Sequence, residues 1–370
     1  MRAIAEHHSV STRLRAVITQ AIEAAGGWLP FDRYMSLALY APGLGYYMRD
    51  DCQLGAWPSN SDFVTAPELS PLFAQALVPS LQQALRASGS DTIIEFGAGS
   101  GALADALLDA LGDAVASYRI VELSGALRAR QMQRLARWGT RVQWVERWPA
   151  PAQSPIDAVL LGNEVLDAMP VQLLAFDGAQ WHERGVVPAG DGAFAWRDRP
   201  TAQRPPHEGP FVPGTVTEVH PQAEGFIASM AHALRRGAAF FIDYGFPADE
   251  YYHPQRTGGT LMCHRAHRAD SDPLHDAGDK DITAHVNFTG IALAGQDAGL
   301  DVLGYTSQAR FLLNNGIAEA MVRADIRARA AAQKLVAEHE MGELFKVIAF
   351  AKGCAFDPIG FAAGDRSHRL

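Results

Sequence analysis

Apolar positions in this chain follow the helical period first and the strand period later. Leu14, Val17, Ile18, Ala21 and Ile22 recur at helical spacing until Gly26 and Gly27 break the run. Phe31 to Tyr40 reads as a second, shorter helix. The turn A-P-G-L-G-Y-Y over 41–47 follows with two aromatics, expected to pack as a local core, with a pocket wall as the alternative. A further helix is expected from Pro71 to Arg86, burying Leu72, Phe73, Leu77, Leu81 and Leu85. Ser70 is its N-cap, Pro71 its first-turn proline, and Pro79 should kink it by removing a backbone bond. Just upstream, Thr65 and Glu68 have capping-box spacing.

From residue 91 the two periods alternate. Ile93, Ile94 and Phe96 make a short strand, a helix is expected from about Ala102 to Leu111, and a second strand spans Tyr118 to Glu122. Ser124 caps a helix carrying Leu127, Gln131, Leu135 and Trp138 on one side. Strands follow at Val142–Val145 and Ile156–Leu161, then a helix from Pro221 to Arg236 stopped by Gly237, and a strand from Ala238 to Asp243. Val302–Tyr305, helices near Phe311 and from Ile317 to Glu340, and a strand over Phe345–Phe350 finish the sheet. Such alternation builds a parallel sheet flanked by helices, a Rossmann-like α/β fold. Gln172 to Trp196 alternates at period two around Asp177-Gly178, which predicts an antiparallel hairpin or meander inserted over 171–220. The stretch 246–281 is long and poorly periodic and is expected to be a lid loop, extending to 288.

The chemistry gathers at strand ends. E-F-G-A-G-S-G over 95–101 joins the first strand to its helix, with glycines at Gly97, Gly99 and Gly101. Glycines permit a sharp turn and a close ligand approach, and the helix N-terminus adds free N–H groups. A dinucleotide fingerprint would want its third glycine at Ala102, so this motif alone reads as cofactor loop or as tight turn. Glu122 ends the next strand, where an acid can accept both hydroxyls of a ribose; the alternative is a cap for the helix at Ser124. Glu95 opening the loop, with no phosphate-binding lysine, favours S-adenosylmethionine (SAM) over NAD or ATP. Asn163, Glu164 and Asp167 follow the fourth strand and should face the same crevice, as should Asp243 and Tyr244 after the fifth. Glu146 suits an adenine amino group or, more simply, solvent. His264 and His267, with His253, His275 and His285, match no defined zinc spacing, so no metal is expected.

The chain has 370 residues, 48% hydrophobic and 20% charged, ample for one large domain or two smaller ones. Its net charge of −9 argues against nucleic-acid or anionic-membrane partners and would suit a cationic substrate. Cys52, Cys263 and Cys354 lie far apart without a CxxC pair, which fits a reducing compartment. No run approaches the ~20 apolar residues of a membrane span. Arg2, Arg13 and Arg15 hint at a transit segment, but the first amphipathic helix already looks like part of the fold, so the expected location is the cytoplasm.

Several stretches together carry a family resemblance: F-x-x-Y-M-x-x-A-L-Y-x-P-G-x-G-Y-Y, D-F-V-T-A-P-E-L-S, E-F-G-A-G-S-G, G-N-E-V-L-D-A-M-P-V, I-D-Y-G, G-G-T-L-M-C-H, D-I-T-A-H-V-N-F and M-G-E-L-F-K-V. They fall in this order, and from about Leu14 to Gly353 the chain resembles the MidA family. The resemblance implies a seven-stranded class I SAM-dependent methyltransferase. The family's mitochondrial members are known as a respiratory complex I assembly factor that methylates protein arginine. It also implies a protein substrate presenting an arginine, a complex I subunit in the mitochondrial members, and leaves a homodimer open. Two domains are expected: 1–90 as an N-terminal helical cap on the substrate side, and 91–370 as the methyltransferase domain. Gly97, Ala98, Gly99 and Gly101 with Glu95 would hold SAM, Glu122 its ribose, and Thr65 and Glu68 join the cofactor set. Asn163 and Glu164 match the family's N-E motif and, with Asp167, are the catalytic candidates, the acids orienting a guanidinium. Asn287 stands where the family's pattern has aspartate, which puts an acid/base role there in doubt. Methylation of a small molecule or another side chain, and a non-catalytic assembly chaperone, are the competing readings.

Overall fold

A computed structural model describes residues 2–49, 64–148, 155–190, 192–265 and 268–370. Among the described residues its main sheet has eight strands, seven of them in one row: β1 (Thr92–Phe96), β2 (Ser117–Val121), β3 (Val142–Val145), β4 (Ile156–Asn163), β5 (Leu234–Phe246), β6 (Asp301–Ser307) and β7 (Phe345–Lys352). They lie in the order β6-β7-β5-β4-β1-β2-β3, and the two-residue strand Val286–Asn287 pairs beside the end of β5. β3, β2, β1, β4 and β5 are parallel, while β7 runs antiparallel to both β5 and β6. The chain moves outward from β1 to β3, then returns to the other side of β1 as β4. That reversal leaves a crevice at the carboxyl ends of β1 and β4, where open α/β sheets bind ligands.

Apolar residues on both faces of the strands explain the three layers. Ile93, Tyr118, Val159 and Phe240 pack with helices Pro71–Ser88 and Ala102–Leu111. Ile94, Leu160, Phe241 and Phe350 pack on the opposite side with helices Pro221–Ala233 and Phe288–Asp297. Helix Pro71–Ser88 runs through Pro79 without a break, and Ser70 caps it by accepting from the Leu72 N–H. It packs on the main sheet, although it precedes residue 90.

Several sequence expectations are corrected. Thr65 and Glu68 form no capping box: Thr65 makes no side-chain cap bond, and Glu68 is drawn to Ser100 and Arg134. Helix Pro221–Ala233 ends before Gly237, because β5 already starts at Leu234. Gly237 serves close strand approach, since a Cβ there would lie 1.9 Å from the Ala158 oxygen. The insertion after β4 is antiparallel, as the alternation around Asp177-Gly178 suggested, and larger than one hairpin: strands Gln172–Phe176, Trp181–Gly190 and Ala193–Pro200 run as a meander, and Val216–Val219 pairs beside the first. Leu29 and Pro30 add to it, opposite Val186 and Gly185. The stretch 246–288 is not a structureless loop either. It holds helix Ala248–Tyr251 and a small sheet of Met262–Arg265, Arg268–Asp270 and Asp281–Thr283.

These remote segments share a core. Leu14, Ile18, Ile22, Phe31 and Tyr34 from the N-terminal region pack with Leu173 and Val186 of the insertion and with Cys263 and Ile282 of the later sheet. The junction depends on a small residue, for a Cβ on Gly185 would come within 2.5 Å of the Leu29 carbonyl oxygen and closer still to the Trp28 ring. Gly185→Ala is therefore expected to destabilise the protein by roughly 1–3 kcal/mol, the usual cost of overpacking. A thermal melt with an unchanged midpoint would show that this pairing does not hold the N-terminal segment in place.

Candidate functional site

The loop after β1 turns because its glycines take left-handed backbone angles. Gly97, Gly99 and Gly101 have φ of 61°, 54° and 81°. The Gly97 N–H donates to the Val121 carbonyl at 3.2 Å and the Gly101 N–H to Ala98 at 2.7 Å, which ties the loop to β2 and closes the turn. A Cβ at Gly99 would meet open space, whereas one at Gly101 would face Leu135 and Gln131. Gly99 thus borders the cavity, while Gly101 lies behind it.

Glu95 and Glu122 occupy the ends of β1 and β2. Glu95 accepts from the Tyr118 hydroxyl at 2.7 Å, and burial pushes its carboxyl up to about 7 against that bond, with Glu122 adding to the rise. Glu122 accepts the Ser124 N–H at 2.8 Å on one oxygen and the Gln131 amide at 2.9 Å on the other. It is not the helix cap, because Ser124 itself accepts the Leu127 N–H. Burial raises its carboxyl also, opposed by those donors.

The end of β4 carries the more unusual geometry. Glu164 holds φ of 54°, a left-handed conformation that a residue with a Cβ seldom adopts. Asp243 stabilises the turn, its Oδ2 accepting the N–H groups of Val165, Leu166 and Asp167 at 3.1, 2.9 and 3.3 Å. Asn163 donates to Glu164 at 3.0 Å, and Tyr244 donates to Asp167. Burial drives the Glu164 carboxyl up to about 8; Asp167 and Asp281 add to the rise, while Asn163 and the Ala66 N–H oppose it. Asp167 and Asp243 are both raised, chiefly by burial. Asn163 Oδ1 and Asp167 Oδ1 are buried with no hydrogen-bond partner among the described residues.

These ends open into one cavity of about 920 Å³, at the upper end of the roughly 300–1,000 Å³ of ligand pockets. Of the residues singled out from the sequence, Thr65, Glu68, Glu95, Gly97, Ala98, Gly99, Glu122, Asn163, Glu164 and Asp167 line it, and Gly101 does not. Glu146 stays outside, paired with Arg128 at the surface. Asn287 caps helix Phe288–Asp297 by accepting the Gly290 N–H, a role that an amide and a carboxylate fill equally.

Other lining residues had escaped notice or were assigned elsewhere. Of the two turn aromatics expected as local core, Tyr47 stacks on Tyr40 at 5.5 Å as a wall of the cavity, while Tyr46 takes the core position. Trp148, Asp281, Thr283 and His285 join that wall, and Tyr244 faces the cavity as its strand end predicted. Asp243 lies behind the lining, fully buried. The signal that could have found these residues was their place at or after strand ends. Six carboxylates line the cavity (Glu68, Glu95, Glu122, Glu164, Asp167 and Asp281), and among the described lining residues there is no lysine or arginine. Burial keeps His285 neutral, lowering its imidazole to about 4.

The residues fit SAM on three counts. Gly99 offers space at the loop, Glu122 has both oxygens held from the protein side, and the acidic lining complements a ligand bearing an ammonium and a sulfonium. Comparison with known proteins decides the matter. The sequence profile of a family of S-adenosyl-L-methionine-dependent methyltransferases matches residues 72–306. The chain belongs to this family. A Burkholderia thailandensis protein crystallised with S-adenosyl-homocysteine has the same fold, with a TM-score of 0.91 and 48% identity over 99% of this chain and 98% of that one. The methyltransferase is also similar to proteins named as mitochondrial protein arginine methyltransferases. The NDUFAF7 homolog of Drosophila melanogaster is 27% identical over 95% of this chain and 87% of its own length. NDUFAF7 of Xenopus tropicalis is 28% identical over 89% and 80%. SAM is the cofactor, as expected from the loop.

Those relatives overturn the cytoplasmic expectation, since they are named as mitochondrial. The inference had rested on reading the first amphipathic helix as part of the fold and not as a transit segment, and on sparse cysteines, of which Cys263 and Cys354 are free. Unpaired thiols speak against an oxidising compartment and do not tell one reducing compartment from another. No helix among the described residues is long and apolar enough to cross a membrane.

Gly99→Val places a β-branched residue at φ of 54° and fills the space beside the loop. S-adenosyl-homocysteine affinity is expected to fall at least about tenfold, or ~1.4 kcal/mol. Calorimetry on the folded variant measures this, and wild-type affinity would reduce the loop to a structural turn.

Proposed function

We propose that the methyltransferase acts on the guanidinium of a protein arginine, with Glu164 and Asp167 as the acids that receive it. The observation carrying this reading is the cluster of buried carboxylates beside the cofactor loop with no basic residue among the described lining residues. Buried acids without a cation are costly, and an entering guanidinium supplies the missing charge. The names of the curated relatives, protein arginine methyltransferases, support the same acceptor. That the acceptor belongs to a respiratory complex I subunit is the part of the proposal that rests on the family resemblance alone.

SAM, when bound, supplies an electrophilic methyl group. The chain's own residues must hold an acceptor nitrogen still and take its proton. A guanidinium has donors only, so ionised Glu164 and Asp167 would fix its plane by accepting from it. Holding two reactants in reacting geometry can lower a barrier by roughly 7–11 kcal/mol. Methylation releases one proton from the acceptor nitrogen, whose N–H electron pair stays with nitrogen. Glu164, with proton affinity displaced to about 8, is the proposed acceptor of that proton. We further propose that the N-terminal region forms the substrate side, since Tyr40 and Tyr47 wall the cavity there.

Glu164→Gln keeps the shape of the protonated acid and cannot ionise. It is expected to leave S-adenosyl-homocysteine affinity near wild type and to cut methyl transfer at least about tenfold, ~1.4 kcal/mol. Labelled-methyl transfer into cell lysate measures it: a labelled protein band that fades in the variant supports the reading. A full-rate variant would remove Glu164 as guanidinium partner, a labelled small product would favour a small-molecule acceptor, and no label at all would favour the non-catalytic chaperone.

The raised carboxyl also sets a pH dependence. A folded pKa of about 8 against the ordinary 4.5 means the folded state binds the extra proton. Stability is then lost as pH rises from 4.5 through about 8, and Glu164→Gln escapes that loss. At pH 7 the wild type is expected to release protons on binding N-acetyl-arginine amide, seen by calorimetry in buffers of different ionisation enthalpy. Equal proton release from wild type and Glu164→Gln would exclude Glu164 as the titrating group.

A further inference from the structure

We propose that Gln131 is a positioning residue for the cofactor, holding the glycine loop and Glu122 in one fixed relation. The inference rests on Glu122 as the ribose acceptor. Gln131 lies in the middle of helix Gly125–Arg134 and is fully buried. Its Nε2 donates to the Gly99 carbonyl at 2.9 Å and to Glu122 Oε2 at 2.9 Å. Its Oε1 accepts from Trp144 Nε1 on β3 at 3.0 Å. Its stem passes beneath Gly101, where a Cβ would lie 3.5 Å from Gln131 Cγ.

An amide has two N–H donors and one carbonyl, and all are used here. Turned by half a rotation, it would set its oxygen against two acceptors and its nitrogen against a donor. The hydrogen bonds therefore admit one orientation. With Ser124 N–H on the other oxygen, the Glu122 carboxylate is clamped from the protein side, and its remaining lone pairs are left to the cavity. A hydrophobic residue of equal volume would fill the space but strand the Gly99 carbonyl and one Glu122 oxygen. One side chain thus joins the ends of β1, β2 and β3 around the position a ribose would take.

Gln131→Met keeps length and loses the amide. Calorimetry with S-adenosyl-homocysteine is expected to show at least about tenfold weaker binding. The KM for SAM should rise in step while kcat stays within about twofold, because the acceptor end is untouched. Acting through Glu122, the substitution should add less than about twofold in a Glu122→Gln background. Trp144→Phe is the variant less prone to misfolding. It frees the amide to turn and should weaken binding about threefold, again only when Glu122 is present. Wild-type affinity in folded Gln131→Met, or in Trp144→Phe should the first not fold, overturns the proposal, as do effects that multiply independently of Glu122. If Glu122→Gln itself binds normally, the ribose reading falls and this proposal with it. A weakened Glu122→Gln beside a normal Gln131→Met overturns the Gln131 role alone.

Discussion

Asp243 carries the acceptor end of this site. Its one oxygen receives three successive N–H groups from the turn after β4, and its other receives the N–H of Tyr244. Such a turn has no strand or helix partner for those donors, and burying them unpaired would cost about 1–3 kcal/mol each. With Asp243 in place, the turn can hold Glu164 in a left-handed conformation and keep Asp167 under the Tyr244 hydroxyl. Burial and the neighbouring Asp167 and Glu164 work against the charge on Asp243, while the N–H donors favour it. The strain at Glu164 and the crowding of acids are thus sustained by a single anchor at the end of the adjacent strand β5.

Two carboxylates of the cavity receive like donors and differ in their neighbours. Glu122 receives a backbone N–H and an amide, both from the protein. Glu164 receives the amide of Asn163 and the Ala66 N–H, and is surrounded by Asp167 and Asp281. More acid neighbours around Glu164 mean a greater need for an external cation, and its proton is the reserve that keeps the free protein tolerable. On the proposed reading, the Glu122 end of the crevice holds a neutral diol and the Glu164 end holds a charge.

Much of this was legible in the sequence because it is local in the chain. The glycine loop, the acid ending β2, and the polar run after β4 each announce themselves within a few residues of a strand, and the parallel topology follows from alternation. What was not legible depends on partners far apart. Leu29 and Pro30 join a strand near residue 185, and Cys263 and Ile282 enter a core begun at Leu14, so neither the added edge of the insertion sheet nor the order within 246–288 had a local signature. The capping box failed for a similar reason. Glu68 had a nearer chain partner in Thr65 but found Ser100 and Arg134 across the cavity. Tyr46 and Tyr47 could each be read as core or as wall, and only the position of the β4 turn assigns Tyr46 to the first and Tyr47 to the second.

That turn also explains why the acceptor wall is firm. The Tyr40 hydroxyl donates to the Ala168 carbonyl at 2.9 Å, and the Tyr47 hydroxyl to Asp281 at 2.6 Å. Tyr34 donates to the Pro273 carbonyl at 2.7 Å, and Arg49 pairs with Asp279 where both side chains are nearly buried. The aromatic wall is therefore bonded on one side to the segment that carries Glu164 and Asp167, and on the other to the small sheet that carries Asp281. Moving either side would expose these buried hydroxyl and ion-pair partners, each at a cost of about 1–3 kcal/mol. On the proposed reading, a planar cation entering here meets a surface already built, and the order within 246–288 becomes part of how the acceptor is selected.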